Sequence, residues 1–187
     1  MKALILSILS CCYFFAATAQ TFSIDSLKNQ MIKDWIRAKA YTQEYLDAMP
    51  ADKYTFKATD STRSFAGQML HFSFTNFAFA IIATDKVENN FQQLKKWNDL
   101  EVAPEIQNKD SVTKYVNAGY DFMINALKKM DVSKFGEIVT QRTPGGIRTE
   151  TRYVWLTKAF EHQTHHRGQC TIYFRLVGIK PPGEKLF

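Results

Sequence analysis

Apolar positions recur every three or four residues over four stretches of this chain. Ile24, Leu27, Met31, Trp35, Ala38, Thr42, Tyr45 and Met49 share one face, with Lys28, Lys33, Asp34 and Lys39 between them. That spacing predicts an amphipathic helix over about Ile24–Met49. Pro50 ends it, because the residue before a proline disfavours the helical region. After a connection, a second helix is predicted over about Ser61–Thr84, with Asp60 or Ser61 as its N-cap. It is apolar nearly all round (Phe65, Met69, Leu70, Phe72, Phe74, Phe77) and is therefore expected to be the most buried. Residues 86–109 are polar and irregular, with a short turn expected around Phe91–Trp97. Asp110 or Ser111 then caps a third helix reaching about Met130, striped by Val112, Val116, Gly119, Met123 and Leu127. Asp131–Thr149 reads as a loop or small hairpin punctuated by Pro144-Gly145-Gly146. A fourth helix is predicted over about Glu150–Val177, with Gly178 just past its end and Pro181-Pro182 beyond. The expected fold class is all-α: a four-helix bundle, an architecture whose core can host a metal site built from facing helices.

Length and composition fit that picture. The chain has 187 residues, which suits one domain, and its 15 phenylalanines imply an aromatic-rich core. The first residues stand apart. Met1-Lys2 is followed by the apolar run Ala3–Ala17, and Ala17-Thr18-Ala19 is a small-residue cleavage pattern. Residues 1–19 are expected to be a secretory signal peptide, leaving 20–187 as an exported domain, periplasmic or extracellular. The apolar run is shorter than the roughly 20 residues a membrane span needs. Ser10-Cys11 weakly resembles a lipoprotein box, but apolar residues continue past it. Cleavage removes Cys11 and Cys12, so only Cys170 would remain and no internal disulfide could form. At its position on the fourth helix, Cys170 reads as a small buried filler before a reactive thiol. The net charge is +6, but the basic residues are scattered. Nucleic-acid binders concentrate theirs on one face, so no nucleic-acid partner is expected.

Candidate chemistry sits on the fourth helix. Three of the chain's four histidines are His162, His165 and His166. His162 and His166 are four apart, one turn above the other on one face, and they fall inside the apolar stripe Trp155, Ala159, Cys170, Tyr173. Two neutral imidazoles so placed can grip one divalent cation, as helical histidine pairs do in zinc motifs. Burying them without partners would cost roughly 1–3 kcal/mol each. His71 lies in the middle of the second helix, with the small residues Gly67, Thr75 and Ala78 on its face. Taken alone it reads first as a hydrogen-bonded core histidine and only second as a ligand. His165 lies about 100° around the helix from His166 and is not expected on the same ion. Arg167 and Gln169 either cover the helix surface or hold an anion.

The run His162-Gln163-Thr164-His165-His166-Arg167-Gly168-Gln169 resembles the H-x-x-x-H-R-G-Q signature of the DinB family of metalloenzymes. Tyr45-Leu46-Asp47-Ala48-Met49-Pro50 and Lys53-Tyr54-Thr55-Phe56 look like that family's first-helix end and connection. Arg63-Ser64-Phe65-Ala66-Gly67-Gln68-Met69-Leu70-His71 looks like its second-helix histidine motif, and Gly178-Ile179-Lys180-Pro181-Pro182 like its tail. Ala58 departs from the pattern, standing where many members carry proline. The resemblance implies a four-helix bundle holding one divalent ion, zinc or nickel, through His71, His162 and His166.

Such an ion would activate water or a thiol. The resemblance therefore implies a hydrolase or a thiol-dependent transferase or isomerase, acting on a small molecule, with a homodimer as one expected assembly. A non-catalytic metal-binding stress or structural protein is the alternative, and a metal-free bundle with a polar core cluster is a third. No general base is evident. Glu161 points about 100° away from His162, and Glu44 or Asp121 would serve only if the fold turned them inward.

Overall fold

The structure is a computed structural model that describes residues 23–84, 91–143 and 145–187. The expected signal peptide and Cys11 lie outside the described residues. Four long helices form the body: α1 (Ile24–Ala48), α2 (Phe65–Thr84), α4 (Lys109–Lys129) and α5 (Arg152–Leu176), with a shorter α3 (Phe91–Glu101) between α2 and α4. Antiparallel strands β1 (Ile138–Thr143) and β2 (Gly146–Thr151) lie between α4 and α5. The all-α expectation is thus corrected to a mostly helical fold with one small two-stranded sheet among the described residues.

Contacts between helices define the topology. Lys39 bonds Asp121, and Lys28 reaches the Lys128 carbonyl, so α1 and α4 run antiparallel. Phe79 meets Trp155 while His71 meets His166, so α2 and α5 are also antiparallel. Ser73 bonds the Tyr115 carbonyl and Phe77 packs on Phe122, which makes α2 and α4 parallel neighbours. Parallel neighbours need a crossover, and the segment carrying α3 supplies it. At one point α2 and α4 nearly touch. A Cβ built on Gly119 would lie 2.3 Å from Ser73 Oγ and 2.8 Å from the Ser73 carbonyl oxygen.

The core is aromatic, as the composition implied: Trp35, Tyr54, Phe65, Phe72, Phe77, Tyr120 and Phe174 are fully buried. α2 is the helix buried all round, from Phe65 to Ala83. It is also the described helix long and apolar enough to cross a membrane, with most of it inside the bundle. That all-round apolarity suits a helix with neighbours on several sides.

Three boundaries differ from expectation. α2 starts at Phe65 rather than Ser61, because residues 59–62 close a turn and the Ser64 hydroxyl accepts the Gly67 N–H at 3.0 Å as the cap. α4 is capped by Asn108, which accepts the Ser111 N–H at 3.0 Å. Glu150 remains in β2, paired with Val139, and Thr151 caps α5. The polar segment holds an 11-residue helix, not a short turn. Trp97 anchors it by stacking on Phe77 at 4.1 Å between ring centroids. Two packed positions, Trp97 and Leu100, leave little periodic signal in a sequence. The end of α5 is as expected: Gly178 adopts a positive φ of 77°, which favours glycine.

Candidate metal centre

α2 and α5 face each other across the bundle, and their inward stripes carry the histidines. His71 from α2 meets His162 and His166 from α5, with ring centroids 5.2 and 4.6 Å apart, and the α5 pair is separated by 4.4 Å. One potential ligand atom from each ring lies within 4.8 Å of the others. The His71–His162–His166 grouping expected from the sequence is therefore present as geometry. His165 is exposed and bonds Gln169 at 2.9 Å; its ring packs edge-on against His166, 5.0 Å between centroids, but it is not one of the three whose ligand atoms converge.

Two of the three rings are held from behind. Glu101, the last residue of α3, places Oε1 2.8 Å from His71 Nδ1. Gln68, one turn before His71, places its Oε1 2.7 Å from His166 Nδ1. A carboxylate can only accept, so the Glu101 contact requires a proton on His71 Nδ1, which in the neutral ring leaves the lone pair on Nε2. The Gln68 carbonyl oxygen imposes the same arrangement on His166. His162 Nδ1 is buried without a hydrogen-bond partner among the described residues. Leaving it so costs roughly 1–3 kcal/mol.

Electrostatics keep the α5 pair neutral. Burial, with the neighbouring histidines adding to it, lowers the His162 pKa to about 4. Burial, followed by repulsion from His162 and His71, lowers that of His166 to about 3. Arg63 pushes in the same direction on both rings, so its guanidinium lies within electrostatic reach of the group. Neutral imidazoles with fixed tautomers are the form that binds metals, and an all-nitrogen donor set suits zinc, copper, nickel or iron. The residues present fit a divalent ion.

Asp121, Glu161 and Glu44 do not reach the group. Asp121 pairs with Lys39, Glu161 with Lys158 and Glu44 with Lys185, all at the surface. Glu101 and Gln68, which do touch the rings, carry no functional motif of their own in the sequence. Gln68 stands three before His71, a helical neighbour position that could have flagged it; Glu101 gave no local signal. Cys170 is fully buried and burial pushes its thiol up, as a filler should be.

Arg167 is neither a surface cover nor exposed to solvent. It is buried beneath α1, where Nη1 donates to Gln163 Oε1 at 2.8 Å and to Thr42 Oγ1 at 3.3 Å, with the guanidinium 4.6 Å from the Tyr41 ring centre. Tyr120 joins the same network, linking Thr42 and Gln163 at 2.7 and 2.8 Å. The signature run thus serves two faces of α5: His162 and His166 toward α2, Gln163 and Arg167 toward α1 and α4.

A helical bundle with three converging, partly buried imidazoles defines a candidate metal-binding protein of the four-helix class. The comparisons narrow the class. The DinB family profile matches residues 21–186, and the chain belongs to the DinB family. Among solved structures, a DinB-like protein from Bacillus cereus ATCC 10987 is similar with a TM-score of 0.62 and 16% identity, over 84% of this chain and 97% of that one. A DinB-like protein from Bacillus subtilis gives a TM-score of 0.60 and 16% identity, over 83% and 96%. At such identities the likeness concerns the fold. No curated protein matches this chain significantly.

Proposed function

We propose that this chain is an exported DinB-family metalloenzyme in which His71, His162 and His166 hold one divalent ion, zinc or nickel. The observation that carries the reading is the convergence of three imidazoles, two of them with Nδ1 held by an acceptor. When bound, such an ion supplies Lewis acidity able to activate water or a thiol. The chain's own residues orient the ligands and shape the approach. Glu101 and Gln68 fix two rings, and Phe79 covers the flank of His162 at 6.1 Å between ring centroids. Arg63 leaves about half of its side chain exposed. A cation there favours an anionic ligand such as a thiolate or a carboxylate, which accords with a small thiol as substrate.

A non-catalytic metal-binding role is the second reading, favoured by one observation. Among the described residues, the carboxylate at the group, Glu101, is already engaged by His71, with Arg63 3.7 Å away. The test is metal analysis of untagged protein starting at Gln20, followed by thiol-transfer and hydrolysis screens with the loaded protein. Near one equivalent of zinc or nickel together with turnover supports the enzyme. One equivalent without turnover supports the second reading. Metal far below one equivalent, not restored by adding zinc or nickel, removes both. Export and cleavage after Ala19 are checked by N-terminal sequencing of the protein recovered outside the cytoplasm.

A further inference from the structure

The carboxylate that touches the three-histidine group comes from outside the four long helices, and its position is braced. Glu101 places one oxygen 2.8 Å from His71 Nδ1, and the two side chains are only 16% and 22% exposed. The Glu101 backbone carbonyl accepts from Gln107 Nε2 at 3.2 Å. The Gln107 side-chain oxygen accepts from Ser64 Oγ at 2.9 Å, and that hydroxyl accepts the Gly67 N–H at the start of α2. The end of α3 is therefore tied to the first turn of the helix that carries His71. We propose that Glu101 is a positioning residue that sets the affinity of the site for its ion, acting through His71; this rests on the ligand set proposed above.

The physical case is a difference among the three rings. His71 is backed by a charged group, His166 by the neutral amide of Gln68 at 2.7 Å, and His162 Nδ1 by nothing among the described residues. A carboxylate accepting from Nδ1 orients the ring, selects the tautomer and makes Nε2 a stronger donor. It also places a negative charge near a site that gains two positive charges on loading. A neutral amide does the first two only. Removing the charge on Glu101 should weaken metal binding more than removing the Gln68 amide.

The test is zinc affinity by competition with a chromophoric chelator, on the whole mature chain. Glu101→Gln keeps the size and an acceptor oxygen but removes the charge, and it is expected to weaken zinc binding roughly 10–100-fold. Gln68→Ala is expected to weaken it less, and Glu105→Gln, exposed on the same crossover, to change nothing. The absorption spectrum at saturating cobalt(II) is a second readout, independent of stability, and should shift in Glu101→Gln. A merely structural role would leave it unmoved. Wild-type affinity within twofold and an unchanged cobalt spectrum in Glu101→Gln would overturn the inference while leaving the ligand set standing. Failure of the wild-type chain to bind zinc, nickel or cobalt would overturn both.

Discussion

Gly119→Ala tests whether the packing of α2 on α4 sets the geometry of the histidine group. The new methyl would lie 2.3 Å from Ser73 Oγ, 2.8 Å from the Ser73 carbonyl oxygen and 3.3 Å from its carbonyl carbon. Rotating the hydroxyl relieves only the first contact, and it breaks the 2.8 Å bond from Ser73 Oγ to the Tyr115 carbonyl. The other two contacts are with backbone, so the helices must separate. Overpacking of this kind costs about 1–3 kcal/mol, and the lost hydrogen bond adds about 1 kcal/mol. Replacing a mid-helix glycine by alanine returns roughly 1 kcal/mol of propensity. The net expectation is a loss of about 1–3 kcal/mol. At a shift of about 3 °C per kcal/mol for a chain of this size, the metal-free protein should melt roughly 3–9 °C lower. Because His71 lies two residues from Ser73 on the same helix, displacing α2 also moves one imidazole relative to the α5 pair, so zinc affinity should fall with stability. Thermal melting and zinc competition on the same samples measure both. Ser73→Ala/Gly119→Ala should recover only part of the loss, since the backbone contacts remain. Wild-type melting and wild-type zinc affinity in Gly119→Ala would refute the reasoning.

His166→Ala should lose most bound metal, whereas His165→Ala should retain it, because His165 bonds Gln169 on the exposed side of α5; equal loss in both would show that the ligand pair is wrongly assigned. The depressed pKa values of His162 and His166, about 4 and about 3, give a pH dependence of definite sign. Between the unfolded value near 6.5 and those folded values, the unfolded chain binds more protons, so metal-free stability should fall as pH drops through that window. Urea midpoints from pH 7 to pH 4 measure this, and His162→Ala/His166→Ala should flatten the profile; an unchanged slope in that variant would contradict it. Arg167→Ala removes a buried guanidinium with its bonds to Gln163 and Thr42, and should cost about 2–4 kcal/mol. Its metal content should be normal, because the side chain lies on the α1 side of α5; metal loss without destabilisation would refute that separation of the two faces.

What could be read without coordinates follows from local geometry. Helical periodicity places α1, α4 and α5 within a few residues, since each buries one stripe. The same periodicity puts His162 and His166 on one inward face, because residues four apart on a helix are neighbours whatever the rest of the chain does. Turn chemistry announced the hairpin and the glycine end of α5. Capping was less legible, because several serines, threonines and asparagines stand near each helix start, and only the turn geometry selects Ser64, Asn108 and Thr151. His71 belonged to the group by family likeness; its own surroundings in the sequence allowed an ordinary core histidine. Glu101 and Arg167 were decided by tertiary structure alone. Glu101 reaches His71 from 30 residues along the chain, on a short helix that packs on the core through Trp97 and Leu100, too few positions to make a long stripe. Arg167 is a charged residue in a position that periodicity cannot assign to solvent or interior. Its burial depends on Thr42, Tyr120 and Gln163 arriving together from three helices. Periodicity reports which face of a helix is buried; which polar groups meet there depends on how the helices pack, and that depends on the whole chain.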